Sequence, residues 1–184
     1  MLAAARASFG SKGYTRTSVE EIAAAARVTK GAVYHHFAGK EALFRAVHAE
    51  VEAEALARAF AARDPRRSPI DQIVAMVNGY LDAALDEEIR RITLIDGPAL
   101  LGLEPEPPAD LQAAQEELRA FIATAIERGE IVDVDLDVLT ELIGGLALQA
   151  GLQIARANDP DVTRAALGQV IEAMLRGLGP RAQQ

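Results

Sequence analysis

Residues 18–37 read SVEEIAAAARVTKGAVYHHF, and the reading of this stretch decides the rest of the chain. Val19, Ile22, Ala23 and Ala26 recur at 3–4 spacing, which predicts a helix of about two turns. Thr17 or Ser18 caps it, since each has a glutamate three residues on (Glu20, Glu21) in capping-box spacing. So short a helix persists only when neighbours pack on it. Arg27-Val28 makes a bend, and Thr29 opens a second helix. At about 100° per residue, Val33 and Phe37 point inward, while Gly31, Tyr34 and His35 point outward with Ala32 at the edge. His36 falls nearer the core side than His35. Thr29 and Lys30 occupy the first turn, where side chains and unpaired backbone N–H groups can meet phosphate. Two helices joined by a three- or four-residue turn, the second exposing small, aromatic and basic residues, form a helix-turn-helix pattern.

The charge distribution agrees with that pattern. The chain has 184 residues, 50% of them hydrophobic, enough for one compact body and a small extra domain. Its net charge of −8 argues against nucleic acid until it is resolved along the chain. Residues 1–48 carry seven Lys and Arg against three acids, a net +4 that leaves −12 for the remainder, and all three histidines lie in this basic part. A basic head on an acidic body suggests a DNA-facing end. There is no cysteine, which excludes disulfides and thiolate metal sites within this sequence. No charged-then-apolar leader is visible, so a cytoplasmic, unprocessed protein is expected. The longest nearly apolar run, Leu142 to Ala155, spans 14 residues and is interrupted by Gln149 and Gln153. A bilayer span needs about 20, so this run reads as a buried helix.

The remaining elements follow from periodicity and punctuation. Residues 2–13 form a helix with Leu2, Ala5 and Phe9 on one side and Gly13 as its stop. Gly39-Lys40-Glu41 starts a long helix to about Ala62, with Leu43, Phe44, Val47 and Val51 inward. After the break at residues 64–69, Ser68 caps and Pro69 starts a helix with the stripe Ile70, Ile73, Val74, Val77, Leu81, widened by Met76 and Tyr80. A helix from Glu87 to Asp96 ends at Gly97-Pro98 and is followed by a proline-rich loop, Glu104-Pro105-Glu106-Pro107-Pro108. Leu111, Ala114, Leu118, Phe121, Ile122 and Ala125 mark the next helix, which stops at Gly129. Leu136 to Ala157 is apolar nearly all round in its second half and must be covered on both sides. It serves either as the centre of a monomeric core or as a two-fold interface. The short turn at residues 158–160 pairs it, antiparallel, with a last helix carrying Leu167, Val170, Ile171, Met174, Leu175 and Leu178. The expected fold is all-α with about nine helices. Residues 1–46 form a three-helix, helix-turn-helix DNA-binding domain, and residues 47–184 a second helical domain whose role periodicity does not give.

The run TSVEEIAAAARVTKGAVYHHFAGKEALF, Thr17 to Phe44, preceded by Phe9 and Gly13-Tyr14, resembles the DNA-binding domain of TetR/AcrR-type regulators. The resemblance covers about 45 residues and rests on coinciding features: the Gly-Tyr connector, Thr17, and Lys-Gly-Ala-Val-Tyr-His-His-Phe followed by Lys-Glu. It implies an all-helical homodimer on a palindromic operator, most often a repressor released by a small molecule, with residues 47–184 as the ligand-binding and dimerisation domain. An activator with the same head, or a helical-bundle carrier or enzyme with a vestigial head, are the alternatives. Carried over by position, Thr17, Tyr34 and Lys40 resemble phosphate contacts, and Thr29, Lys30, Gly31 and His35 groove-facing residues. Two departures stand out: Arg27 replaces the usual glycine of the turn, and the basic arm that precedes the first helix in many relatives is either missing or cut off in this sequence. The outward face lacks Asn, Gln and Arg, the bidentate readers of adenine and guanine. Few direct base bonds and a large phosphate share are therefore expected.

The resemblance favours the two-fold reading of the last two helices, with Leu142, Gly144, Leu146, Ala147, Gly151, Leu167, Val170, Ile171, Met174 and Leu175 at the interface. Gly144, Ala147 and Gly151 share one edge, where backbones can approach closely. Ligand cavities in bundles are lined mainly by apolar and aromatic side chains. Met76, Tyr80, Leu94, Ile95, Leu100, Phe121 and Phe60 are candidates, with Tyr80 and Asp96 as polar anchors; each is equally explicable as core packing. No cofactor or metal is expected, because His35 and His36 lie about 100° apart without a third ligand nearby. No enzyme signature is present either: the body has no histidine base, no Gly-rich phosphate loop and no nucleophile motif.

Overall fold

Side-chain caps set most of the helix starts in this computed structural model, which describes residues 1–64, 66–102 and 109–180. Helix α1, Leu2–Lys12, stops where Gly13 takes φ +79°. Helix α2, Val19–Ala25, begins with a complete capping box, in which Ser18 Oγ accepts from Glu21 N at 3.1 Å and Glu21 Oε2 accepts from Ser18 N at 3.1 Å. Thr29 caps α3, Lys30–His36, through Ala32 N at 3.1 Å. Long α4 runs Lys40–Ala61. Ser68 caps α5, Pro69–Ala83, whose proline sits in the first turn as the spacing predicts. Helix α6 follows in three pieces, Glu87–Ile89, a π-helical Arg90–Asp96, and Gly97–Leu101. Then come α7, Ala109–Glu127, α8, Leu136–Arg156, and α9, Pro160–Arg176, the last two capped by Asp135 and Asp159. Among the described residues this is an all-helical chain of nine helices with no strand. The proline-rich loop lies outside the described residues.

Two compact units result, Met1–Glu54 with Asp86–Glu106, and Ala55–Leu85 with Pro107–Gln184. The first is the helix-turn-helix head closed by α6, which returns from far along the chain. Its centre is aromatic: the Phe9 and Phe44 rings meet edge-on at 5.2 Å, Tyr14 stacks on Phe9 at 5.9 Å, and Ile22, Leu43, Val47, Ile89 and Ile92 are buried around them. Arg6 on α1 donates to Glu54 on α4 at 2.7 Å and to Glu88 on α6 at 2.6 Å. Asp96 Oδ2 accepts from Tyr14 N at 2.8 Å. The packing boundary therefore falls later along α4 than residue 46 and returns α6 to the head.

Helix α6 does not stop at Gly97-Pro98 as the sequence suggests. Gly97 N–H bonds Ile92 O in the i→i+5 pattern, and Thr93 Oγ1 donates to Ile89 O at 2.8 Å. The carbonyl of Thr93 would next bond Pro98, which has no N–H. His48, on α4, donates to that carbonyl instead. Burial pushes the His48 imidazole below its usual pKa, with nearby Arg45 acting in the same direction. A Cβ on Gly97 would lie 2.5 Å from His48 Nε2, so only glycine admits the ring.

The second unit is a bundle of α5, α7, α8 and α9 with the end of α4. Ile73, Leu81, Ile122, Ile143, Ile154, Ile171 and Leu175 form its core. Gly79 lets α5 approach α4, because a Cβ there would lie 2.9 Å from Ala59 Cα. Polar ties flank the core: Arg176 to Asp71 at 2.8 Å, Arg164 to Asp82 at 2.5 Å, and Ile70 N to Glu130 at 3.0 Å. By length and composition α8 is the one described helix that could cross a membrane, but Leu139, Ile143, Ala150 and Ile154 are buried in the bundle. Its expected cover on both sides is only half present within one chain. Val138 and Leu142 on α8, and Val162, Val170 and Met174 on α9, are all more than half exposed.

The turn between α2 and α3 carries strain that the sequence foreshadows. Arg27 is the one non-glycine residue with positive φ among those described, at +56°. That left-handed geometry costs an L side chain roughly 1 kcal/mol. Replacing Arg27→Gly is expected to raise unfolding stability by about 1 kcal/mol in urea titration. Gly97→Ala is expected to lower it by roughly 1–3 kcal/mol through overpacking, and adding His48→Ala should restore part of the loss.

Candidate nucleic-acid interface

The outward side of α3 is where the sequence places it. Val33 is buried at 1% exposure, whereas Gly31, Tyr34 and His35 are exposed, Tyr34 to 49%. Phe37 is not the last inward residue of the helix but its C-cap, with extended backbone and only partial burial. His36 is exposed rather than core-facing, and its ring meets that of His35 edge-on at 5.4 Å. Thr29 is exposed, with its oxygen accepting the capping bond and its hydroxyl proton left to donate. A Cβ on Gly31 would meet only Thr29 Oγ1, at 3.8 Å, so the backbone here is little shielded and can lie close against a flat partner.

Two expected phosphate contacts turn out differently. Thr17 is 2% exposed, and its hydroxyl lies 2.8 Å from Gly13 O and 3.2 Å from Ser8 O. The side chain is committed to holding the α1–α2 connector, so it does not offer itself to phosphate; the buried donor must satisfy itself within the protein. Ser18, not Thr17, caps α2. Lys40 is half-buried with its Nζ 4.0 Å over the Tyr14 ring, a cation–π contact that fixes the ammonium at the rim of the head.

Lys30 does not stand free. Its Nζ forms an ion pair with Glu20 in the first turn of α2 and lies 5.7 Å from the centre of the Tyr34 ring. The hydrogen bond to Lys30 holds the Glu20 carboxyl below its usual range, and the same bond holds Lys30 above its own. Glu21 is lowered first by its bond from Ser18 N, then by Lys12 at 3.2 Å. Consecutive glutamates of α2 thus neutralise two of the head's lysines. The sequence signal for Glu20 was its capping-box spacing from Thr17, which concealed its pairing with Lys30 across the turn. His48 was likewise missed, although its spacing from Glu52, at 3.4 Å, was visible.

The expected ligand set divides between the two units. Leu94, Ile95, Asp96 and Leu100 belong with the head, and Met76, Tyr80 and Phe121 with the body. Asp96 is occupied by Tyr14 N, Leu94 is buried, and Ile95 is 41% exposed. In the body, Met76 is 5% exposed, while Tyr80 and Phe121 are half-buried, the latter with Arg63 5.8 Å from its ring centre. The interface set divides too. Leu142, Val170 and Met174 are exposed, and Gly144, Leu146, Ala147 and Leu167 are partly so. Gly151, Ile171 and Leu175 face their own core and leave the set, because a residue buried within one chain has no surface to give another.

Comparison with known proteins matches both parts. A family model described as bacterial regulatory proteins, tetR family, matches residues 1–47, and one described as tetracyclin repressor-like, C-terminal domain, matches residues 70–178. The crystal structure of a TetR-family transcriptional regulator from Pectobacterium atrosepticum is similar, with 33% identity and a TM-score of 0.86 over 99% of this chain and 93% of its own. The HTH-type transcriptional regulator UidR of Escherichia coli (strain K12) is 28% identical over 97% of this chain and 90% of its own length. The HTH-type transcriptional regulator TcmR of Streptomyces glaucescens is 26% identical over 94% of this chain and 78% of its own. With an exposed α3 on a capped two-helix motif and both parts of the sequence matched, the chain belongs to the TetR family of DNA-binding transcriptional regulators.

Proposed function

We propose that this regulator is a cytoplasmic repressor that binds a palindromic operator as a homodimer and leaves it when a small molecule enters the body. The observation that carries the DNA part is the outward face of α3, where Thr29, Lys30, Gly31, Tyr34 and His35 are exposed together. Tyr34 can pack on a thymine methyl and Lys30 can reach guanine acceptors, while phosphates supply most of the affinity.

The apolar stripe of α8 and α9 supports the dimer. Val138 and Leu142 lie about 40° apart on α8, Val162, Val170 and Met174 lie on α9, and the two helices pack as neighbours. Such a face on adjacent helices suits burial against its own copy, and the two-fold it creates matches a palindrome. Gly144 and Gly145 have open space above them, so a partner backbone can approach. Few aromatics, 4% of the chain, favour an aliphatic or mixed effector. Met76, Tyr80 and Phe121 are its candidate contacts. Release is a population shift: an effector that binds better to the DNA-incompetent state lowers operator affinity by the ratio of its two affinities. Helix α4 belongs to both units along its length and is the covalent route for that shift.

Mobility-shift assays on the DNA upstream of the protein's own gene test the reading. Binding should weaken steeply with salt, and a log–log slope near zero would overturn the phosphate-dominated mode. Tyr34→Ala is expected to weaken operator binding roughly tenfold with the dimer intact by sedimentation. Leu142→Asp combined with Val170→Asp should give folded monomers that no longer shift operator DNA.

A further inference from the structure

We propose that Glu20 is a specificity-determining residue of the DNA head. Paired with Lys30, it withdraws that lysine from indiscriminate phosphate contact and tunes the head to a site offering a guanine edge beside a cytosine amino group. The inference rests on the DNA-binding reading of α3 and deepens it.

Glu20 stands in the first turn of α2, where its carboxylate also meets its own backbone N–H, but it is not part of the capping box. Its neighbour Glu21 completes the capping box through Ser18 N and also meets Lys12. The Glu20 carboxylate has Lys30 as its one side-chain partner among the described residues. Both side chains of this pair are more than half exposed, 59% for Glu20 and 53% for Lys30. An exposed pair of this kind contributes little to folding. Yet it joins the first turn of α2 to the first turn of α3, on the side read as meeting DNA, within residues 1–48, whose net charge is only +4. A carboxylate there opposes phosphate.

Sequence-independent affinity comes from cations that displace counterions from phosphates. Lys30 bridged to Glu20 brings no net charge to the backbone, so it adds little to such binding. At base edges the same pair is complementary: the ammonium donates to guanine O6 and N7, and the carboxylate accepts from cytosine N4. Lys30 lying beside Tyr34 keeps the pair on the α3 face.

Selection from a randomised duplex pool, followed by affinity measurements on the enriched motif and on the unselected pool, tests this. Wild-type protein should enrich a motif with a G·C pair in each half-site. Glu20→Gln should bind the unselected pool about fivefold or more tightly, steepen the salt slope by about one, and lose that G·C preference. In a Lys30→Met background, Glu20→Gln should have little further effect on the ratio of motif to pool affinity. The proposal is overturned if Glu20→Gln leaves that ratio and the enriched motif unchanged, or changes them equally without Lys30. Failure of the wild type to bind either DNA would instead overturn the DNA-binding reading. Unchanged thermal melting of Glu20→Gln excludes misfolding as the cause.

Discussion

One guanidinium holds the head together across the sequence. Arg6 on α1 is shared by Glu54 on α4 and Glu88 on α6, and its hydrogen bond to Glu88 is the foremost reason its charge is held so firmly. Glu50 on α4 also lies 3.7 Å from this guanidinium, so three carboxylates share one cation, and removing Arg6 would leave them facing one another uncompensated. The three-helix head is therefore not a free-standing module of contiguous sequence. It is completed by α6, which also covers the Phe9–Tyr14–Phe44 aromatic centre and takes the backbone N–H of Tyr14 onto Asp96.

The helix that completes the head is π-helical over Arg90–Asp96. An α-helix reaching Gly97-Pro98 would leave a carbonyl facing a residue without an N–H. Here the ladder widens, and the orphan carbonyl of Thr93 is met by a side chain from another helix. Thr93, Gly97, Pro98 and His48 act as one arrangement: a hydroxyl bonded back along the helix, a missing Cβ, a missing donor, and an imported one. Localised π segments of this kind recur at functional positions.

The DNA-facing surface is less basic than its lysine count suggests. Lys12 and Lys30 are paired with α2 glutamates, and Lys40 rests on Tyr14. The two lysine–glutamate pairs lower the number of cations free to neutralise phosphate, on which non-specific affinity depends.

The sequence by itself determined the local elements and the orientation of the reading helix. Thr29, Ser68 and Pro69 fixed helix starts because caps act within four residues of themselves, the cap of α2 was narrowed to Thr17 or Ser18, and Val33 inward with Tyr34 outward fixed which way α3 faces. Family motifs in residues 9–44 made the DNA-binding head legible, and the positive φ at Arg27 was foreseeable from the glycine it replaces. Only the tertiary structure decided which groups face each other across long separations. It put Asp96 on Tyr14, and buried Thr17, which the family resemblance had offered to phosphate, and Ile171, which periodicity left open to a partner. It also joined Glu20 to Lys30 and returned α6 to the head. Periodicity assigns a residue to a face of its own helix, but the partner on that face depends on how helices are placed in space, which no local spacing encodes.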